Sequence, residues 1–186
     1  MFPQLYGMDG LFLEYASNGT LAQAKADLYF DMGYCNESKH WANESLTSRG
    51  NKPHTLKCLI INYSAANQFN IAKRYWNILN RSLAHKKWAQ DNAGILIGER
   101  TEDIERLKKN FPEDDFFAGI GKPQPKLEEL YARNPDNQML FEYLIANYLL
   151  IHNIGKLSHE IGTFERLGYN KLPRPVEEAL LVYSVQ

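Results

Sequence analysis

Moving the chain against itself by 34 residues sets like on like. Tyr29 falls on Tyr63, Asn36 on Asn70, Lys39 on Lys73 and Asn43 on Asn77. Small or apolar residues also correspond: Ala22 with Leu56, Ser38 with Ala72, Ala42 with Trp76 and Ser45 with Leu79. Gly33, a natural helix stop, meets Asn67. A fixed period of this length marks stacked helix–turn–helix units. Each unit buries only part of its apolar face, so a neighbour must cover the rest.

The letters between these positions read as helices, and strand-like alternation is scarce. LAQAKADLYFDMG (21–33) is one helix stopped by Gly33, and NESKHWANESL is a second, capped by Asn36 and running to about Ser48. Pro53 suits the first turn of a third helix through HTLKCLIINYSAAN. FNIAKRYWNILNRSL makes a fourth. Residues 85–123 read as irregular. Within them TEDIERLKKN is a short helix capped by Thr101, its acids early and its lysines late, as the helix dipole favours. FPEDDFFAGIGKPQP is a loop whose Phe111, Phe116 and Phe117 are expected to tuck into the core. Pro125 opens the helix KLEELYARN, Asn134-Pro135 caps and starts a long helix to about Ile151, and a last helix runs from Pro175 towards Tyr183.

The pattern resembles the tetratricopeptide repeat. That motif asks for a large residue early in its first helix, a Tyr about two turns later, a Gly or Asn turn, then small residues in the second helix. Tyr29, Gly33, Ser38, Ala42 and Ser45 answer it in one copy. Leu56, Leu59, Tyr63, Asn67, Ala72, Trp76 and Leu79 answer it in the next. Phe141, Leu144, Tyr148, His152, Leu157, Ile161 and Phe164 make a third, degenerate copy with large residues at the small positions. The resemblance implies an all-α, right-handed tetratricopeptide-like helix-hairpin array (an α-solenoid) with an irregular insert. The expected layout is a single helical-repeat domain over 1–186: an irregular segment at 1–19, two repeats at 20–84, the insert at 85–123, and a third hairpin with a closing helix at 124–186. Tyr29, Tyr63 and Tyr148 are then packing residues with a hydroxyl at the edge.

Composition narrows the partners. A net charge of −1, with 21 Lys and Arg against 22 Asp and Glu, offers no basic field for nucleic acid or anionic lipid. The most apolar run, MLFEYLIANYLLI at 139–151, is too short to span a membrane and contains Glu142 and Asn147, so no insertion by this chain itself is expected. MFPQLYGMDG does not read as a signal peptide. Cys35 and Cys58 are read as two separate thiols, although one disulfide between them is geometrically possible.

Candidate chemistry is sparse. Asp31, Cys35, Glu37, His40 and Glu44 crowd into one stretch, but metal ligands must share a face, and five residues from Cys35 to His40 serve that badly. The repeat register places Cys35 against Phe69, a packing position. His152 and His159 lie seven apart across a turn without further ligands. The pairs Asp114-Asp115, Glu128-Glu129 and Glu177-Glu178 read as solvated faces, since adjacent helix residues diverge by about 100°. Five N-x-S/T matches, at Asn18, Asn36, Asn43, Asn62 and Asn80, fall mostly on helices and read as coincidence. No catalytic, cofactor or metal residue is assigned.

What the repeat resemblance implies instead is a surface. First helices of successive repeats line a concave groove. Carried over, those positions are Gln23, Asp27 and Asp31, then His54, Lys57 and Ser64, with Glu142 and Ala146 from the third copy. Mixed charge there suits a peptide held through polar contacts.

Three longer stretches carry a second resemblance: YGMDGLFLEY; YFDMGYCNESKHWANESL; and RNPDNQMLFEYLIANYLLIHNIGKL with LGYNKLPRPVEEALL. They are similar to the C-terminal soluble portion of an uncharacterised multi-pass membrane-protein family from Bacteroidetes. That implies a helical domain outside the membrane, following several spanning helices that this chain lacks, as a fragment or truncated reading would. The expected role is a non-enzymatic protein- or peptide-binding or scaffolding domain of a cell-envelope protein, on the extracytoplasmic side, the cytoplasm being the other option. A carbohydrate-binding or carbohydrate-processing accessory domain is the alternative, with Tyr and Trp rings as stacking platforms. An enzyme using His54, His152 or His159 ranks last.

Overall fold

The computed structural model describes residues 19–99, 101–102, 104–105, 108 and 124–184. Among them the chain is all-α, with no strand. They cluster into two compact units, one within residues 16–120 and the other within 121–186.

The first unit starts with two hairpins: α1 (Gly19–Met32) with α2 (Cys35–Arg49), and α3 (Pro53–Ala65) with α4 (Phe69–Asn80). Both first helices and both second helices begin 34 residues apart, at Gly19 and Pro53 and at Cys35 and Phe69. The turns match as well. Gly33 and Asn67 both lie in the left-handed region, at φ 85° and 58°. In the first hairpin Tyr34 N donates to Tyr29 O at 2.8 Å and Gly33 N to Phe30 O at 3.0 Å. In the second, Gln68 N donates to Tyr63 O at 2.8 Å and Asn67 N to Ser64 O at 2.9 Å. This pair of bonds is a Schellman ending, which satisfies the last helix carbonyls and turns the chain at once. Asn36 is therefore not the cap of α2. Tyr34 occupies that position, its carbonyl accepting from Ser38 N at 2.8 Å, while Asn36 is buried inside the helix. Pro53 does stand in the first turn of α3.

Small residues let the helices approach. Ala26, Ser38 and Ala42 are fully buried, and Ser38 Oγ donates to Ala26 O at 2.9 Å across the first hairpin. Asn62 Nδ2 of α3 then donates to Ser38 Oγ at 3.0 Å, joining the two hairpins. Leu56, Leu59, Ile60 and Leu79 fill the centre.

The segment after α4 departs from the expected irregularity. Lys86–Asp91 form α5, followed by a 3₁₀ helix at Ala93–Ile97. Ala89 and Ile95 join the core with Trp76 and Trp88 against them, and Trp76 Nε1 donates to Ala89 O at 2.6 Å. Apolar burial every few residues gives this stretch a reason to coil that its lysines obscure. Thr101 does cap the turn after it, its Oγ1 accepting from Ile104 N at 3.3 Å. Phe111, Phe116 and Phe117 lie outside the described residues.

The second unit contains α6 (Gln124–Arg133), α7 (Gln138–Leu150), α8 (Ile154–His159), α9 (Ile161–Arg166) and α10 (Arg174–Ser184). Asn137, not Asn134, caps α7, accepting from Leu140 N at 3.0 Å. Asn134-Pro135 instead stands in the turn before it. Between α7 and α8 the same ending recurs: His152 is left-handed at φ 57°, and Asn153 N donates to Tyr148 O at 2.9 Å. Leu127, Leu140, Phe141, Leu144, Tyr148, Leu157 and Phe164 are all buried, and the Phe141 and Phe164 rings meet edge to face. Ile161 is exposed rather than packed, at the first position of the helix that resumes after a break at Glu160. Arg166 fastens the end of α9 to the α6–α7 turn through Asp136 (2.7 Å), Tyr131 (2.9 Å) and the carbonyl of Pro135 (2.8 Å).

Candidate functional site

The first helices α1 and α3 lie side by side, and four of the expected groove residues, Gln23, Asp27, His54 and Lys57, meet where they do. Asp27 projects from α1, and His54 and Lys57 project from successive turns of α3. His54 Nε2 donates to Asp27, 2.8 and 3.0 Å from its two carboxylate oxygens. Gln23, one turn earlier on α1, donates to Asp27 Oδ1 at 2.9 Å. Its own carbonyl oxygen accepts from Thr55 and, at 3.4 Å, from Ser45, so the arrangement is anchored in the interior.

Beneath this polar rim opens a cleft of about 240 Å³. Phe30, Cys58 and Ile61 supply its inner wall, and Trp88 of α5 closes one side. Lys57 Nζ stands 4.8 Å from the centre of the Trp88 ring, a cation–π contact. Sequence reasoning missed the apolar half of the site. Cys58 and Ile61 were legible in principle, following His54 at helical spacing on one face. Nothing in the letters around Trp88 placed it opposite α1.

The other groove positions do not join them. Asp31 is exposed one turn beyond Asp27 but does not line the cleft. Ser64 is buried, and its hydroxyl has no hydrogen-bond partner among the described residues. Glu142 belongs to the second unit, where it accepts from Gln138 Nε2 at 3.2 Å and from Tyr169 Oη; Ala146 lies one turn further along α7.

Asp27, His54 and Cys58 share letters with a nucleophilic triad, but the sulfur is turned away from that use. Cys58 Sγ lies 3.6 Å from Ser38 Oγ and 3.4 Å from Asn62 Nδ2, inside the fold. Burial pushes its thiol up to about 12, so the nucleophilic thiolate is suppressed at neutral pH. Cys35 is equally buried and its thiol is likewise pushed up to about 12; the two cysteines are separate thiols. Glu37 is buried and accepts from Trp41 Nε1 at 3.1 Å, whereas Asp31, His40 and Glu44 are exposed. Among the described residues no three His, Cys, Asp or Glu side chains gather closely enough to hold a metal ion. Tyr29 and Tyr148 are buried, so their rings offer no platform to a sugar. Tyr63 is half-buried and stacks on Tyr75 at 5.8 Å.

Fold and site together define an all-helical protein with an open, part-apolar cleft between neighbouring helices. By its sequence the chain belongs to a family of unknown function, DUF6057, whose model matches residues 1–186. No curated protein and no solved structure matches it.

Proposed function

We propose that this chain is a non-enzymatic protein- or peptide-binding domain whose binding site is the cleft beneath Asp27, His54 and Lys57. The observation that carries the reading is the convergence of these three polar residues, from two helices, above one open apolar pocket. A peptide backbone can meet the polar rim while a side chain enters the pocket, the usual division of labour in helix-lined recognition grooves. The 34-residue spacing of the two hairpins, and their shared left-handed turns, support reading them as tetratricopeptide-like units of an α-solenoid. In such an array the first helices, here α1 and α3, line the concave side, and both contribute residues to the cleft.

The proposed setting is the cell envelope, as the soluble part of a multi-pass membrane protein from Bacteroidetes. It rests on the resemblance of NPDNQMLFEYLIANYLL and its companion stretches. Among the described residues no helix is long and apolar enough to cross a membrane, so anchoring would fall to the parent protein's other segments. The test is a pull-down from envelope extracts with the wild-type chain and an Asp27→Ala/Lys57→Ala variant. The variant is expected to lose the partners that the wild type recovers. Equal recovery by both would sink the reading.

A further inference from the structure

We propose that the cleft selects a peptide segment in which one large apolar side chain is followed, within a residue or two, by a carboxylate side chain. This rests on the peptide-binding reading above and names what that site would choose.

Size argues for a single anchor. A volume of about 240 Å³ falls below the range of roughly 300–1,000 Å³ usual for small-molecule and cofactor sites. It suits one side chain reaching in from a ligand whose remainder stays outside. The walls decide the character of that side chain: Phe30, Ile61 and the Trp88 ring present carbon on three sides. Burying an apolar group there gains hydrophobic free energy, whereas a polar one would meet no partner on those walls.

Charge decides what stands beside the anchor. Asp27 is already engaged, accepting from Gln23 and, through both oxygens, from His54. Lys57 differs. It forms no ion pair with the described residues, and its ammonium rests on the Trp88 ring. A ring quadrupole attracts a cation without neutralising it, so Lys57 keeps its positive charge and, unlike the charged Asp27 carboxylate whose oxygens accept from Gln23 and His54, has no hydrogen-bonded partner among the described residues. A ligand carboxylate placed beside Lys57 completes an ion pair, and a ligand cation in that position is repelled.

The test is an NMR titration of the full ¹⁵N-labelled chain with blocked heptapeptides. Each has a Gly/Ser frame around Phe-Glu, Phe-Gln, Phe-Lys or Ala-Glu. Phe-Glu is expected to shift resonances of α1, α3 and α5 and to bind about threefold or more tighter than Phe-Gln, the scale of an exposed ion pair. The margin should shrink in high salt, and Ala-Glu should bind least. Lys57→Gln should erase the preference for Glu, and Lys57→Glu should turn it into a preference for Phe-Lys. Equal binding of Phe-Glu and Phe-Gln, or an unchanged order in the Lys57 variants, overturns this selectivity and leaves the cleft a peptide site of another taste. Absence of cleft shifts with every peptide overturns both readings. Concentration-dependent cleft shifts without peptide would put a second copy of the chain there and overturn the proposal.

Discussion

Two buried thiols and one buried amide carry the clearest residue-scale consequences. Burial pushes the thiols of Cys35 and Cys58 up from an ordinary value of 9.0 to about 12, because it disfavours the thiolate. Their contribution to stability is complete below about pH 9, where folded and unfolded chains both hold the proton. It is lost as pH rises towards 12, where only the unfolded chain has released it. The urea midpoint should therefore fall as pH rises above 9. Cys35→Ala/Cys58→Ala should flatten that fall even if it lowers stability overall; an equally steep fall in the variant would refute it. At pH 8 neither thiol should react with an aromatic disulfide until the chain is unfolded. Asn147 is the opposite case. It is fully buried, and neither its Nδ2 nor its Oδ1 has a hydrogen-bond partner among the described residues. An unsatisfied buried amide costs about 1–3 kcal/mol, so Asn147→Leu should raise the melting temperature. A lower one would show that the amide has a partner in solution, such as bound water.

At the scale of the element, the helix endings set the terms. Gly33, Asn67 and His152 all adopt the left-handed conformation, yet only the first is the residue that does so without strain. His152→Gly should stabilise by roughly 0.5–1 kcal/mol, and Gly33→Ala should destabilise by about 1–2 kcal/mol, read from urea midpoints. The reverse ordering would mean that these turns are held by side-chain contacts rather than by backbone. This also explains how much of the fold was legible. Breaks at Gly33 and Asn67 and the start at Pro53 could be read because each is a backbone requirement with few eligible residues. Caps were less legible: Asn36 and Asn134 look like caps, but a Schellman ending ahead of α2 and an Asn-capped turn at Asn137 had already met those needs. α5 escaped notice because its coiling depends on what Trp88 and Ala89 touch, which no local pattern states. For the same reason the polar rim of the cleft could be drawn from helical register, while its apolar walls could not.

The whole molecule divides into two compact units, each with its own buried centre. Leu56, Leu59 and Ile60 serve one, and Phe141, Leu144 and Leu157 the other. A polypeptide of residues 16–120 is therefore expected to fold alone and melt cooperatively by far-UV circular dichroism. A featureless, non-cooperative signal would show that its core needs the remainder of the chain. The recurring turn has one last consequence, for which residues can stand in it. Tyr29, Tyr63 and Tyr148 each accept the closing bond through the main-chain carbonyl, which every amino acid possesses. The bond asks only for that carbonyl and a left-handed residue in the turn, a place that Gly33, Asn67 and His152 each fill. Hairpins of this build can thus close in the same way over turn residues of quite different chemistry.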